Sequence, residues 1–381
     1  MPNIICLTQN EIEVPYKFKL TDINVYSFEE ALYHFYHYWK QSTEDFLSDD
    51  FILWVKRDLN QEYIASKISS LRMSDKFSDK YLKFVTIIDY FSEQELYALK
   101  NDLEDWEKRM VWEQLKAQAD SLVNIGEYIK AANIYLSAIK LNPNADIYNN
   151  LGIAYNKTGD YKNAYRVLME AYQLDPGNQT IIFNLAEASI LRGNFDNAEI
   201  MLSKVSGQEN KYYLLGLFYM EKNGLELARD YFLKAYNLNK DDFYLYKIID
   251  ICLSQKHYDD AAKNLNQVKN KNQDFYLKQS EICFMKNNVK EGIKTLSGAV
   301  EKYPSDIELW AALAKYYRLD NDFESASIAI EKARSINPNS IRAEFEHANI
   351  KKSQGKIKDF QSALHNILEF LKKIYRANND F

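Results

Sequence analysis

The stretch LGIAYNKTGDYKNAYRVLMEAYQLDPGN, residues 151–178, carries the pattern that decides the fold. Apolar and small residues recur three and four positions apart on both sides of Gly159 and Asp160. This is the periodicity of two amphipathic helices joined by a turn. Pro176 ends the second helix, because proline cannot continue a helical hydrogen-bond pattern. The stretch has no His, no Cys and no Gly-rich loop for a phosphate, so it predicts a shape rather than a chemical step.

The pattern recurs along the chain with a period near 34 residues. Small residues such as Gly152 and Ala164 are expected to let the two helices of a unit approach closely. Four of the six prolines (143, 176, 304 and 338) fall at the same place in this frame. We predict repeat units at about 112–144, 145–178, 179–208, 209–240, 241–272, 273–306 and 307–340, with a degenerate eighth unit from 341.

These residues resemble the tetratricopeptide repeat, whose period and small–large signature they match over about residues 112–374. The resemblance implies an all-α fold in which helical hairpins stack into a right-handed superhelix, an α-solenoid. Units three to five depart from the pattern, because they lack the closing proline and run near 32 residues. Phe360 replaces the usual Ala or Gly, so the last helix, about 357–376, is expected to be a polar-faced cap.

Residues 1–110 do not show the repeat, and we predict a mainly helical module that caps the array. Short extended segments are expected near the N-terminus, followed by helices at about 27–40, 49–58, 61–72 and 79–91. A capping-box pattern at Ser92 and Glu95 opens a helix that is expected to run unbroken to near Trp112. The predicted domains are therefore residues 1–110, 111–340 (seven repeats) and 341–381 (the eighth unit and the C-terminal cap).

Charge and composition restrict the classes of partner. The net charge is −6, the sum of −7 on residues 1–110 and +1 on the remainder, which argues against nucleic-acid binding because that needs a basic surface. No apolar run approaches the length of a membrane span, and the N-terminus lacks the features of a signal peptide. Three scattered cysteines (Cys6, Cys252, Cys283) predict neither a disulfide framework nor a zinc site. We expect a cytoplasmic protein.

Candidate chemistry is limited to one histidine pair. His34 and His37 lie one helical turn apart near Glu30, an arrangement that could bind a metal. No third histidine accompanies them, and aromatic residues surround them, so packing is the favoured interpretation. The sequence has no P-loop, dinucleotide fingerprint or nucleophile elbow. We therefore predict no catalytic residue, no metal, no cofactor and no enzymatic activity.

The resemblance also implies a concave groove, lined by the second, fifth, sixth, ninth and twelfth positions of the first helix in each unit. Repeats that clamp the acidic tails of chaperones carry Lys, Asn and Arg at these positions. Only two of five clamp positions fit here, and Asp120 would repel a carboxylate, which disfavours a co-chaperone role. The positions tested in the first three units are Lys116, Asp120, Asn150, Thr180 and Asn184.

The inward positions of units two to six are instead aromatic and apolar, with asparagines at one end and two lysines inside the strip. Such a surface suits a peptide or an amphipathic helix of a protein partner, and we predict a scaffold or adaptor. Two alternatives stay open: some of these side chains pack within the array, or the chain is a peptide-sensing regulator of a partner protein. The predicted groove residues are Asn149, Asn150, Phe183, Asn184, Tyr213, Leu217, Tyr246, Lys247, Lys278 and Phe284, with Leu214, Met220, Phe243, Leu253, Leu277 and Met285 beside them.

Overall fold

The computed structural model shows helical hairpins, together with one short two-stranded ribbon near the N-terminus. The chain divides into two compact units, Met1–Arg192 and Gly193–Phe381. The structure describes residues 14–73, 76–336, 340–365 and 367–368. Outside this part lie Cys6, Pro338 and the portion of the predicted cap beyond residue 368.

The N-terminal part of the first unit has its own hydrophobic core, built mainly from aromatic side chains. The rings of Phe35, Phe51 and Phe84 pack edge-to-face, with centroids 4.7 to 5.9 Å apart. The Tyr81 hydroxyl, fully buried, donates a hydrogen bond of 2.9 Å to the carbonyl of Phe35. The elements are β1 (Tyr16–Lys17), β2 (Asn24–Val25), α1 (Phe28–His37), α2 (Asp49–Arg57), α3 (Glu62–Ser70), α4 (Phe77–Val85) and α5 (Glu93–Glu107), with a 3₁₀ turn at Leu71–Met73.

Two predicted helices here end earlier than expected, and a third is interrupted. α1 stops at His37 and α4 at Val85, each followed by tight turns. The helix from Ser92 does not run through to Trp112, because the chain turns at residues 108–110 before α6 begins. The carboxylate of Glu113 accepts a hydrogen bond of 2.8 Å from the backbone amide of Met110. This contact caps the N-terminus of a new helix, which begins at that point.

Five further helices complete the first unit, and each packs against its neighbour in sequence. They alternate as the repeat pattern predicts, with tight turns inside each hairpin. Gly159 has a φ of 79° in one such turn, a left-handed conformation that glycine adopts without a steric penalty. The helices are α6 (Val111–Asn124), α7 (Tyr128–Leu141), α8 (Ala145–Lys157), α9 (Tyr161–Leu174) and α10 (Gln179–Leu191).

The second unit continues the same alternation, and its helices again pack against their neighbours in sequence. The prediction of an all-α repeat fold is therefore confirmed, while the predicted domain boundaries stay a prediction. Beyond α20, residues 357–365 are also helical. The helices are α11 (Phe195–Lys204), α12 (Gln208–Glu221), α13 (Leu225–Asn239), α14 (Asp242–Ser254), α15 (Tyr258–Leu265), α16 (Gln273–Met285), α17 (Val289–Lys302), α18 (Ile307–Leu319), α19 (Phe323–Ile336) and α20 (Ile341–Ser353).

The small residues of the repeat make room for large side chains rather than only for one another. A Cβ placed on Gly152 would lie 2.4 Å from Cγ of Leu168, and one on Gly216 would lie 2.6 Å from the Phe232 ring. The sequence pattern pointed to Ala164 as the neighbour of Gly152. The nearest side chain comes from one turn further along the second helix, because a buried leucine fills the space that the glycine leaves.

Candidate functional site: a cleft between repeat helices

Asparagines of the predicted groove in the first unit form a hydrogen-bonded strip across three helices. Asn184 on α10 donates to the side-chain oxygen of Asn149 on α8 at 2.8 Å. Asn149 donates to Asn150 at 3.3 Å, and Asn150 donates to the carboxylate of Asp120 on α6 at 3.0 Å. Asn149 and Asn184 are buried, with 7% and 8% of their surfaces exposed. Their amides therefore pair mainly with each other.

Asp120, the residue that weakened the case for a carboxylate clamp, anchors this strip. It accepts the hydroxyl of the buried Tyr135 at 2.5 Å and the ammonium of Lys116 at 2.8 Å. The lysine that a clamp would direct at a ligand is thus paired with a neighbouring carboxylate. The same pairing explains why a carboxylate is tolerated there, since the half-buried charge has both a counter-ion and hydrogen-bond donors.

The second unit contains a cleft of about 500 Å³ between the first helices of successive hairpins, α14, α16 and α18, with one residue from the start of α20. Four predicted groove residues line it, namely Tyr246, Lys247, Lys278 and Phe284. The full lining is Phe243, Tyr246, Lys247, Asp250, Asp274, Leu277, Lys278, Ser280, Glu281, Phe284, Met285, Ala312, Lys315, Tyr316 and Arg342, and we call it the repeat cleft.

Aromatic side chains form the apolar wall of the repeat cleft. The ring of Phe284 packs edge-on against Tyr316, with centroids 6.0 Å apart. Burial raises the pKa of the Tyr316 hydroxyl to about 12, so the phenol is neutral at physiological pH. Tyr316 also fills the space beside Gly292 on α17, where any Cβ would lie 2.4 Å from its ring. Phe243 and Met285 keep 44% and 40% of their surfaces exposed, so the wall is open to a ligand.

One of the two predicted lysines is already neutralised within the cleft. Lys278 contacts Asp250 at 2.5 Å and Glu281 at 2.8 Å. Burial acts to lower the pKa of Lys278, but the two carboxylates outweigh it, and the pKa lies above the ordinary value for lysine. Its charge is therefore held by the protein rather than directed at a ligand.

Lys247 and Lys315 are the two lysines of the lining without a carboxylate partner among the described residues. The lining as a whole also holds the exposed carboxylate of Asp274, and its Arg342 pairs with Glu308. The Nζ of Lys247 lies 5.4 Å from the ring centroid of Phe243, and that of Lys315 lies 5.4 Å from the ring centroid of Phe284. Among the residues that the structure describes, neither ammonium forms an ion pair. Sequence reasoning missed Lys315, although it is at the ninth position of unit seven, which the groove rule marks as inward.

The remaining predicted groove residues lie outside the repeat cleft. Leu217 is 3% exposed and packs in the interior, as do Leu214 and Leu253, so the packing interpretation holds for these three. Tyr213 is half-buried, and its ring centroid lies 5.7 Å from that of Phe243 at the edge of the cleft. Phe183 is half-buried on α10 in the first unit.

The histidine pair is part of the packed N-terminal module. The two ring nitrogens of His34 lie 2.7 Å from the Thr21 hydroxyl and 3.1 Å from the Ser42 hydroxyl. The ring stacks on Phe18 with centroids 3.5 Å apart, and burial lowers the pKa of His34 to about 3. Both nitrogens are thus engaged, which favours packing over metal binding. No group of three or more His, Cys, Asp or Glu side chains suited to a metal occurs in the described residues.

Comparison with known families agrees with the repeat geometry. Family models described as tetratricopeptide repeat match residues 116–179, 155–215, 212–242, 253–316 and 307–340, which together span more than half of the chain. The chain is a tetratricopeptide repeat protein. Such repeats support a role in protein–protein interaction, in line with the open aromatic cleft.

Two curated proteins are similar to parts of this tetratricopeptide repeat chain. It is 24% identical over 228 residues to human protein O-mannosyl-transferase TMTC1, an alignment that covers 57% of this chain and 22% of that protein. It is 26% identical over 128 residues to the Sol locus transcriptional repressor of Clostridium acetobutylicum, covering 33% of this chain and 31% of the repressor. The chain therefore matches less than a third of either relative, and the expectation that it carries no catalysis stays a prediction.

Solved structures with similar folds include other repeat proteins. A tetratricopeptide repeat protein from Parabacteroides merdae is 17% identical with a TM-score of 0.40, covering 70% of this chain and 98% of that one. Yeast Tom70 is 14% identical with a TM-score of 0.34, covering 71% of this chain and 73% of that one.

No helix among the described residues is both long and apolar enough to cross a membrane.

Proposed function

We propose that this chain is a non-catalytic scaffold or adaptor that binds a segment of a partner protein in the repeat cleft. The observation that supports the proposal best is the combination of a partly exposed aromatic wall with two lysines, Lys247 and Lys315, that form no ion pair among the described residues. Exposed aromatic surface in a concave site is typical of a binding surface, because aromatic side chains provide much contact area with little loss of conformational entropy.

The chemistry of the cleft favours a ligand that carries an apolar side chain close to a carboxylate. An apolar side chain of the ligand would pack against Phe243, Phe284 and Met285, which removes apolar surface from water. Aspartate or glutamate on the ligand would pair with Lys247 or Lys315, since Lys278 is occupied by Asp250 and Glu281. The proposed ligand is therefore a short acidic and aromatic or aliphatic segment.

The asparagine strip of the first unit takes a different part in this proposal. The sequence predicts that Asn149, Asn150 and Asn184 contact the ligand. Because Asn149 and Asn184 are buried and paired with each other, we now propose that they position α8 and α10, with Asn150 as the more accessible contact. Tyr213 remains a proposed contact at the edge of the repeat cleft, and Phe183 remains a proposed contact within the first unit.

A peptide-sensing regulator is the second candidate. It draws on the similarity to the Sol locus transcriptional repressor, which covers a third of this chain. A regulator of this class changes conformation when it binds a peptide, whereas a scaffold binds with little change. Small-angle scattering with and without a bound peptide separates the two, because only the regulator predicts a change in the radius of gyration.

The proposal can be tested by selecting ligands from a display library of random 12-residue peptides on the full chain. We expect enriched peptides to combine Asp or Glu with Phe, Leu or Trp. Tyr246→Ala combined with Phe284→Ala should abolish their capture, while Tyr97→Ala, which removes a 69% exposed aromatic elsewhere, should not. Far-UV circular dichroism confirms that the variants keep their helices. Equal capture by the cleft variant and the control would refute a binding site in this cleft.

A further inference from the structure

A second cleft lies in the first unit, where the N-terminal module meets the first repeat. Its volume is about 480 Å³, and it shares no residue with the repeat cleft. It is formed by the turn after α1, the start of α4, the end of α5 and the first half of α6. The lining is Thr43, Glu44, Phe77, Trp106, Glu107, Val111, Gln114, Leu115 and Gln118, and we call it the junction cleft.

The polar floor of the junction cleft is fixed by internal hydrogen bonds. The amide of Gln114 donates to the carbonyl of Trp106 at 2.9 Å. The amide of Gln118 donates to the carbonyl of Lys40 at 2.9 Å and to the hydroxyl of Thr43 at 3.2 Å. These side chains connect the module to α6, and their donors are already in use. The floor is therefore a preformed surface rather than a set of groups awaiting a ligand.

Two carboxylates, Glu44 and Glu107, lie at the rim of the junction cleft, and Lys76 at the start of α4 lies near Glu107. Glu44 is exposed, and none of the described residues that line the cleft is basic. Glu107 accepts the backbone amide and the hydroxyl of Ser78 at 2.8 Å each, which fixes its carboxylate at the start of α4. The C-terminus of α5 adds partial negative charge, because its last carbonyls lack helical partners. The nearby Lys108 pairs with Asp105 at 3.0 Å.

Two aromatic side chains form the walls of the same cleft. Phe77 is half-buried, and Trp106 is held edge-on against Trp39 with centroids 5.2 Å apart. Aromatic faces beside carboxylates suit a cation, and a planar guanidinium can stack on a ring while it pairs with a carboxylate. We propose that the junction cleft binds the side chain of an arginine on a partner polypeptide, stacked on the half-buried Phe77 next to the buried Trp106 and paired with Glu44.

This site can be probed with the blocked tripeptides Gly-Arg-Gly and Gly-citrulline-Gly, because citrulline is a neutral analogue of arginine with nearly the same shape. The chain has five tryptophans, so an NMR spectrum of the indole N–H groups contains few signals. Trp106→Phe identifies the relevant signal by its loss. We expect that the arginine peptide shifts it in a saturable manner, and that the citrulline peptide leaves it unchanged. Calorimetry of the same titrations supplies the comparison if Trp106→Phe does not fold.

Charge variants distinguish a built site from a general electrostatic attraction. Glu44→Gln removes an exposed carboxylate that pairs with none of the described residues, so folding should be unaffected. We expect this variant to bind the arginine peptide about two- to fivefold more weakly, the usual range for the loss of one exposed ion pair. Asp89→Asn changes the same charge at an exposed position outside the cleft and should have no effect. Equal effects of the two variants, or equal binding of the citrulline peptide, would overturn the proposal.

Discussion

Two glycines of α17 offer a direct test of how the repeat packs beneath the cleft. Gly292 is buried, and a Cβ there would lie 2.4 and 2.7 Å from two ring carbons of Tyr316. Gly298 lies in the same helix, is exposed, and has no heavy atom within 4 Å of the corresponding position. Both substitutions to alanine raise helix propensity by the same amount, so their difference isolates the contact with Tyr316.

The magnitudes follow from these distances. Gly298→Ala should increase the free energy of unfolding by up to about 1 kcal/mol, the gain in helix propensity. Gly292→Ala gains the same amount but forces a contact more than 1 Å shorter than the usual 3.5–4.0 Å between carbons. Overpacking costs about 1–3 kcal/mol, and the rigid ring places this case near the upper limit. We therefore expect a net loss of about 2 kcal/mol for Gly292→Ala.

Urea unfolding followed by circular dichroism measures both variants. Hydrogen exchange on peptides from α17 and α18 adds local resolution, because repeat arrays unfold in parts. Tyr316→Leu provides the matched background, in which the cost of Gly292→Ala should shrink since the ring is absent. If Gly292→Ala and Gly298→Ala change stability equally, or if Tyr316→Leu leaves the difference intact, the packing argument is refuted.

Three further predictions concern charge and hydrogen bonds. The buried His34 has a pKa of about 3, so only the unfolded chain takes up its proton near pH 6.5, and stability falls as the pH drops through that range. Because of this group, the free energy of unfolding should be about 2–3 kcal/mol higher at pH 7 than at pH 4.5, as measured by denaturation. His34→Gln should remove this part of the difference. If the difference is unchanged in His34→Gln, the buried, neutral state of His34 is contradicted. Asp120→Ala leaves the hydroxyl of Tyr135 unpaired and should cost about 1–3 kcal/mol in urea unfolding, while Asp120→Asn, which keeps an acceptor, should cost less; equal costs would show that the hydrogen bond is unimportant. Asp250→Asn removes one of the two carboxylates that pair with Lys278. The affinity for an acidic peptide, measured by fluorescence anisotropy, should therefore rise about two- to fivefold. Weaker binding would count against an acidic ligand.

The repeat pattern predicted the fold because it acts locally. Spacings of three and four around Gly152 and Pro176 fix which faces are buried, and each hairpin repeats the same solution. Where a helix ends in the N-terminal module depends instead on contacts that the pattern does not contain. The capping of Met110 by Glu113 interrupts a helix that the residue spacing alone would continue.

The candidate site was predictable in position but not in the state of its side chains. The inward-position rule marks Tyr246 and Phe284, and it applies equally to Lys315, while Lys247 lies one position beyond Tyr246. It could not show that Lys278 is neutralised, because that depends on carboxylates from two helices. It also could not separate the buried Leu214 and Leu217 from the half-buried Tyr246 and Phe284, since that difference arises from how neighbouring helices pack.

We propose that the repeat cleft binds an acidic, apolar segment through Lys247 and Lys315, which form no ion pair with any described residue. The most direct measurement is the affinity of a selected peptide, by fluorescence anisotropy, for the wild type and for Lys247→Gln combined with Lys315→Gln. A matched control combines Lys290→Gln with Lys294→Gln, two exposed lysines of α17 outside the cleft. We predict about tenfold weaker binding for the cleft variant and no change for the control. Equal affinity for all three proteins would contradict the account.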